Sequence, residues 1–212
     1  GQFEYRAGIQ SDSPTCDVEG FNIVCSFAAC KKLLLHCSDL RNAYFNGKQM
    51  DRLLLVWPPK CGLPGEGDEK YAFAANKPVY GTGDAGRRFY KAFREAAIGA
   101  GLKENKVMKS LYAYSLDGDI KVICGTRVND LLYAMEPDYQ YIMTNLLEQF
   151  ELKETKTRQF RFCGREYEQL DDFRLRSQRR TAPRLSSLLA TPLAIGQMRV
   201  KQRLERYHSS GA

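Results

Sequence analysis

Asp39 follows the apolar run Leu33-Leu34-Leu35-His36-Cys37, and Asp130 stands in Arg127-Val128-Asn129-Asp130 between two further apolar stretches. Carboxylates brought together from such places suit phosphoryl transfer, in which acidic side chains hold two cations about 4 Å apart across the attacking oxygen and the transferred phosphate. A strand end facing a hairpin tip can build that cluster. An aspartate after an apolar strand is also an ordinary helix cap or turn residue, so neither signal is specific by itself.

A second group is cationic. Arg87, Lys91 and Arg94 fall on one side of a helical pattern whose other side is Phe89, Phe93, Ala96 and Ala97. Such a row can touch nucleic-acid phosphates, and a plain solvated face accounts for it equally well. His36, beside the aspartate-bearing strand, reads as a packed core residue rather than a ligand. The seven cysteines are odd in number, contain no C-x-x-C pair and have only His36 and His208 as imidazole partners, which argues against zinc and against a disulfide framework. Most are expected as small buried hydrophobes in a reducing compartment.

These residues need elements to position them. Ser13-Pro14-Thr15 offers a cap and a preset φ ahead of Val18, Phe21, Cys25, Ala28 and Ala29, a helix of about 15 residues. Leu33 to Cys37 is sized for a buried strand that delivers Ser38 and Asp39 at its end. Met50 to Val56 reads as another strand, stopped by Trp57-Pro58-Pro59, with Lys60 to Lys70 a loop. Asp84 is placed to cap a helix from Ala85 that ends at Gly99 and Gly101. Ile120 to Val128 and Leu131 to Met135 form a hairpin around a tight turn at Asn129-Asp130, and Pro137-Asp138 opens a helix carrying Ile142, Leu146 and Phe150. The order helix, strand, helix, hairpin, helix predicts an α+β fold with helices on one face of the sheet.

With 212 residues, 43% of them hydrophobic, the chain can build one sizeable core with an appendage. No apolar run approaches the roughly 20 residues a membrane span needs, and no signal peptide opens the chain, whose first residues read as a cut end. The formal charge of +7 is uneven: residues 174–212 hold nine Lys or Arg and one acid, whereas residues 1–173 hold 23 basic and 24 acidic residues. After Phe173 the texture turns to Arg-Leu-Arg-Ser-Gln-Arg-Arg, which marks a boundary between a domain at 1–173 and a basic tail at 174–212. The tail suits a disordered or frame-shifted segment, or a basic arm for RNA.

Ser38-Asp39-Leu40-Arg41-Asn42-Ala43-Tyr44-Phe45-Asn46-Gly47 resembles the first catalytic motif of copia-type retrotransposon reverse transcriptases. In family order there follow Asn76 to Gly81 with Asp84 to Tyr90, similar to its Lys-x-Leu-Tyr-Gly segment and the template-side helix; Ser110-Leu111-Tyr112; Val128-Asn129-Asp130-Leu131-Leu132 at its Tyr-Val-Asp-Asp box; and Phe160 to Glu166. The resemblance covers roughly residues 11–173.

That resemblance implies a reverse-transcriptase palm, a ferredoxin-like antiparallel sheet with helices on one face, together with part of the fingers. It implies an RNA-directed DNA polymerase of a Pol polyprotein that extends a primer on RNA or DNA template with deoxynucleoside triphosphates and two Mg²⁺ ions. Asp39 and Asp130 would be metal ligands, with the Leu40 carbonyl on the nucleotide metal. Asn42 and Ala43 would offer backbone N–H groups to the triphosphate, and Tyr44 would lie under the sugar or, on the plainer reading, pack in the core. Arg87, Lys91 and Arg94 would contact nucleic acid. The thumb, ribonuclease H and integrase regions of such a polyprotein are not recognisable in the sequence, and the implied setting is the cytoplasm, a virus-like particle or the nucleus. Two departures stand out. Asn129 occupies the first aspartate of the family's pair, and Arg127 its tyrosine, so this copy is expected to be impaired or to persist as a non-catalytic nucleic-acid-binding relic.

Overall fold

A computed structural model describes residues 8–57 and 72–179. The chain runs α1 (Val18–Cys30), β1 (His36–Leu40), β2 (Leu55–Val56), β3 (Phe73–Ala74), α2 (Ala85–Gly99), β4 (Lys103–Glu104), β5 (Leu111–Leu116), β6 (Asp119–Arg127), β7 (Asp130–Met135), α3 (Gln140–Leu147), β8 (Leu152–Thr157), β9 (Gln159–Phe162), β10 (Arg165–Gln169) and β11 (Leu175–Arg179). Six strands form an antiparallel sheet in the order β4-β5-β6-β7-β1-β8. Strands β9 to β11 form a separate sheet of three, and β2 pairs with β3. The expected α+β class holds.

Side chains alternate across a strand, so a sheet buried on both sides reads as a continuous apolar run. Leu131, Leu132, Tyr133 and Ala134 of β7 are all buried. Leu131 and Tyr133 join Val122, Cys124 and Tyr112 under α2 and α3, where Phe89, Phe93, Ile142 and Leu146 pack. Leu132 and Ala134 join Ile123 and Cys37 on the opposite side, with Phe21 and Val24 of α1 and Phe160 and Phe162 of β9. Helices on one face only is therefore corrected: α2 and α3 share a face, and α1 with part of the small sheet covers the other.

Several local expectations shift. The cap of α1 is Asp17, whose carboxylate accepts from the Gly20 N–H at 2.7 Å, rather than the Ser13-Pro14-Thr15 group. Its inner face is Phe21, Val24 and Ala28, while Val18 is exposed. The strand expected over Met50 to Val56 shrinks to Leu55 and Val56; Pro58, Pro59 and the loop from Lys60 to Lys70 lie outside the described residues. Gly99 is still helical, and Gly101, with φ +94°, makes the left-handed exit that suits glycine. A single 3₁₀ turn at Pro137–Tyr139 precedes α3. Cys16, Cys37 and Cys124 are buried as expected, whereas Cys30 and Cys163 are exposed, and Cys61 lies outside the described residues. His36 stacks on the Tyr133 ring at 5.1 Å, and burial lowers its pKa. Strand β11 begins two residues past the compositional boundary at Phe173, and the tail beyond Arg179 lies outside the described residues. No helix among the described residues is long and apolar enough to cross a membrane.

Candidate active site

Asp39 lies inside β1 rather than after its end, in register with Asp130 on β7. Directly opposed residues on antiparallel strands point to the same side with Cβ atoms about 4.5–5.5 Å apart. By alternation that side is the one on which Cys37 and Leu132 pack, away from α2 and α3. On the reverse side the Ser38 hydroxyl bridges its neighbours, 3.2 Å from the Tyr133 hydroxyl and 2.7 Å from Thr155 Oγ1, which ties β1 between β7 and β8. The two carboxylates are thus held by rigid strands.

The hairpin between β6 and β7 turns at Val128-Asn129, one residue earlier than expected, with Arg127 and Asp130 closing the ladder. Val128 takes a left-handed backbone, φ +54°, which costs a non-glycine residue about 1–2 kcal/mol. This turn brings Asn129 against β1: its carbonyl accepts from the Leu40 N–H at 2.8 Å, and its Nδ2 donates to Asp39 Oδ1 at 2.8 Å. A carboxylate only accepts, so the end of the amide facing Asp39 is the NH₂ group. Asn129 presents a donor to Asp39, with its amide oxygen on the other arm.

The second Asp39 oxygen is also taken. Lys153 of β8 donates from Nζ to Oδ2 at 2.7 Å. The pairing of β1 with β8 runs Asp39 to Glu154 and Leu40 to Leu152, so Lys153 is the extra residue of a bulge. Bulges re-aim side chains. Sequence reading passed over Lys153, because an exposed edge strand of mixed charges carries no apolar period to single it out.

The two carboxyls differ electrostatically. Partial burial pushes the Asp39 carboxyl up, but hydrogen bonds from Lys153 and Asn129 outweigh it and hold the group below the usual range. Burial and the neighbouring Asp39 charge raise the Asp130 carboxyl, against weaker pulls from Arg127 and Lys153. Two carboxylates with Lys153 and Arg127 beside them leave little net charge.

The other expected residues form two further groups. Asn42, also left-handed at φ +53°, opens a 3₁₀ turn over Ala43–Asn46 immediately after β1. Ala43 is buried, while Tyr44 is half-buried against the core and lies 4.8 Å from the Tyr80 ring. Phe45 packs edge-on to the same Tyr80 ring. On α2, Arg87 pairs with Asp12, and Arg94 Nε donates to Glu104 Oε2 at 2.8 Å, whereas Lys91 has no ion pair among the described residues. Asp84 makes no capping bond; it receives Arg52 at 2.9 Å and Arg88 at 2.6 Å. A cleft beside α2 brings Arg52, Arg87, Arg88 and Lys91 together with Asp51 and Asp84, four cations against two carboxylates, so its lining stays positive.

A family model for the reverse transcriptase (RNA-dependent DNA polymerase) matches residues 2–177. The chain belongs to the reverse transcriptase family. Neither a curated protein nor a solved structure matches it.

The family implies metal-dependent catalysis in general, and this reverse transcriptase domain can be tested for its fit to that chemistry. Mg²⁺ requires oxygen ligands in near-octahedral geometry. At the reverse transcriptase residues Asp39 and Asp130, one carboxylate has each oxygen engaged by an N–H donor and the other has a raised pKa. Among the described residues no group of three or more acidic, histidine or cysteine side chains gathers as metal ligands. The donor set does not fit a pair of Mg²⁺ ions.

Proposed function

We propose that this chain is the palm with part of the fingers of a copia-type retrotransposon RNA-directed DNA polymerase whose nucleotidyl transfer onto a primer is severely impaired. The observation that carries the reading is the state of Asp39, whose two carboxylate oxygens are engaged by Asn129 and Lys153. An active relative of this kind would use its carboxylates to hold two Mg²⁺ ions; here a neutral amide lends no charge, and about 1.4 kcal/mol of lost transition-state stabilisation already costs tenfold in rate. The roles of Asn42, Ala43 and Tyr44 beside the incoming nucleotide are part of the same proposal. Primer extension on an RNA template with Mg²⁺ tests it: no extension is expected, and ordinary extension overturns the impairment.

A second reading keeps the scaffold and drops the chemistry: a nucleic-acid-binding relic. It is favoured by Lys91 on α2, which has no ion pair among the described residues, and by the exposed Phe45 and Tyr80 rings beside the turn after β1. Duplex binding by fluorescence anisotropy together with primer extension by an Asn129→Asp, Lys153→Met double variant distinguishes the two: recovered extension supports the impaired polymerase, and duplex binding with no recovery supports the relic.

A further inference from the structure

We propose that Lys153 is a built-in counter-ion for Asp39, standing where a divalent cation would have to sit, so that two contacts rather than one close the carboxylate site. The inference rests on the impaired-polymerase reading and adds a second residue to it. Three observations support it. The Lys153 ammonium lies 2.7 Å from Asp39 Oδ2, the distance of a charge-assisted hydrogen bond. The bulge in β8 is centred on Lys153 itself, so the chain gives up a ladder position where this cation turns toward the carboxylate. The Asn129 amide takes the opposite oxygen, so Lys153 and Asn129 engage Asp39 from both sides.

The consequence is a coupling between two positions 24 residues apart in the sequence. Replacing Asn129 by aspartate restores a carboxylate but leaves the Lys153 ammonium on Asp39 Oδ2, and the added negative charge nearby favours keeping that cation in place. A single reversion therefore leaves a cation in place. Removing Lys153 alone frees one oxygen of Asp39 but leaves the amide donor. Metal affinity should appear only when both change.

The test measures Mn²⁺ binding by electron paramagnetic resonance on the full chain and on Asn129→Asp, Lys153→Met and the double variant, with circular dichroism to check folding. Lys153 is 54% exposed on an edge strand, so its replacement is compatible with the fold; Lys153→Gln serves as the alternative if Lys153→Met aggregates. The double variant is expected to bind Mn²⁺ about tenfold or more tighter than either single variant, equivalent to about 1.4 kcal/mol of binding free energy. Asn129→Asp binding as tightly as the double variant would overturn the role of Lys153 and leave the impairment by Asn129 standing. Tight Mn²⁺ binding by the unaltered chain would overturn both.

Discussion

Arg88 reaches back one turn along α2 to Asp84, its Nε 2.6 Å from Oδ2, while Arg52 takes the other oxygen of the same buried carboxylate at 2.9 Å. The residue expected to cap the helix instead ties its side to the segment before β2, and Arg88 also reaches Asp51 in that segment. Removing one partner of a buried ion pair is costly because the remaining charge is left in place. Asp84→Ala is therefore expected to lower stability by about 2–3 kcal/mol, toward the low end for such pairs because Arg88 keeps Asp51. Urea unfolding checks this, and a change within experimental error would remove Asp84 as an anchor.

The same pair sets a pH dependence. Burial pushes the Asp84 carboxyl up, yet hydrogen bonds from Arg52 and Arg88 prevail and lower its pKa below the ordinary 3.8. A carboxyl depressed in the folded state contributes stability that is fully present above its unfolded pKa and is lost as pH falls through the folded value. The stability difference between the unaltered chain and Asp84→Asn should be constant from neutral pH to about pH 5 and shrink only below about pH 4. Chemical denaturation at a series of pH values measures it; a difference already fading near pH 6 would contradict the assignment.

At Gly125 a Cβ would lie 2.9 Å from Phe21 Cε1 and 3.0 Å from Cys16 Sγ, so β6 admits α1 only because a side chain is missing there. Gly125→Ala should cost about 1–3 kcal/mol by overpacking. Pairing it with Phe21→Leu should recover part of the loss, since contacting sites are not additive. Thermal melts of the two single variants and the pair decide this.

Lys91, Arg87 and Arg94 were grouped in the sequence as one cationic row, and the structure separates them. Arg87 and Arg94 already hold Asp12 and Glu104. If the row contacts nucleic acid, Lys91→Ala should reduce the slope of log affinity against log salt by about one, and Arg94→Ala by less. Duplex binding at several salt concentrations tests the difference; equal effects from the two would show that the ion pairs open on binding.

What was legible in the sequence follows from which interactions are local. Asp39 and Asp130 could be brought together on paper because an apolar strand and a two-strand hairpin each carry a local signature, and the register then aligned them. The amphipathic side of α2, with Phe89, Phe93, Ala96 and Ala97, needed only helical periodicity. Lys153 was missed because its meaning depends on a bulge between β1 and β8, strands more than a hundred residues apart, and nothing in Leu152 to Thr157 announces one. The side taken by α1 was missed for a related reason: apolar spacing says that a helix has an inner face, not which face of a sheet receives it. Asp84 was misassigned because a cap and a buried ion pair use the same residue type, and the deciding partner, Arg52, lies 32 positions away.

Strand β1 is internal to its sheet, with β7 on one flank and β8 on the other, both contributed by chain that follows much later. A shorter copy of this chain ending before Leu152 would keep the helices and the hairpin but strip one flank from β1. Its row of main-chain donors and acceptors, beside the buried Leu35 and Cys37, would then be open to strands of other molecules. Truncation would turn this reverse transcriptase domain from a folded unit into a seed for aggregation, so β8, with its run of exposed charges, also serves as the seal on the sheet's edge.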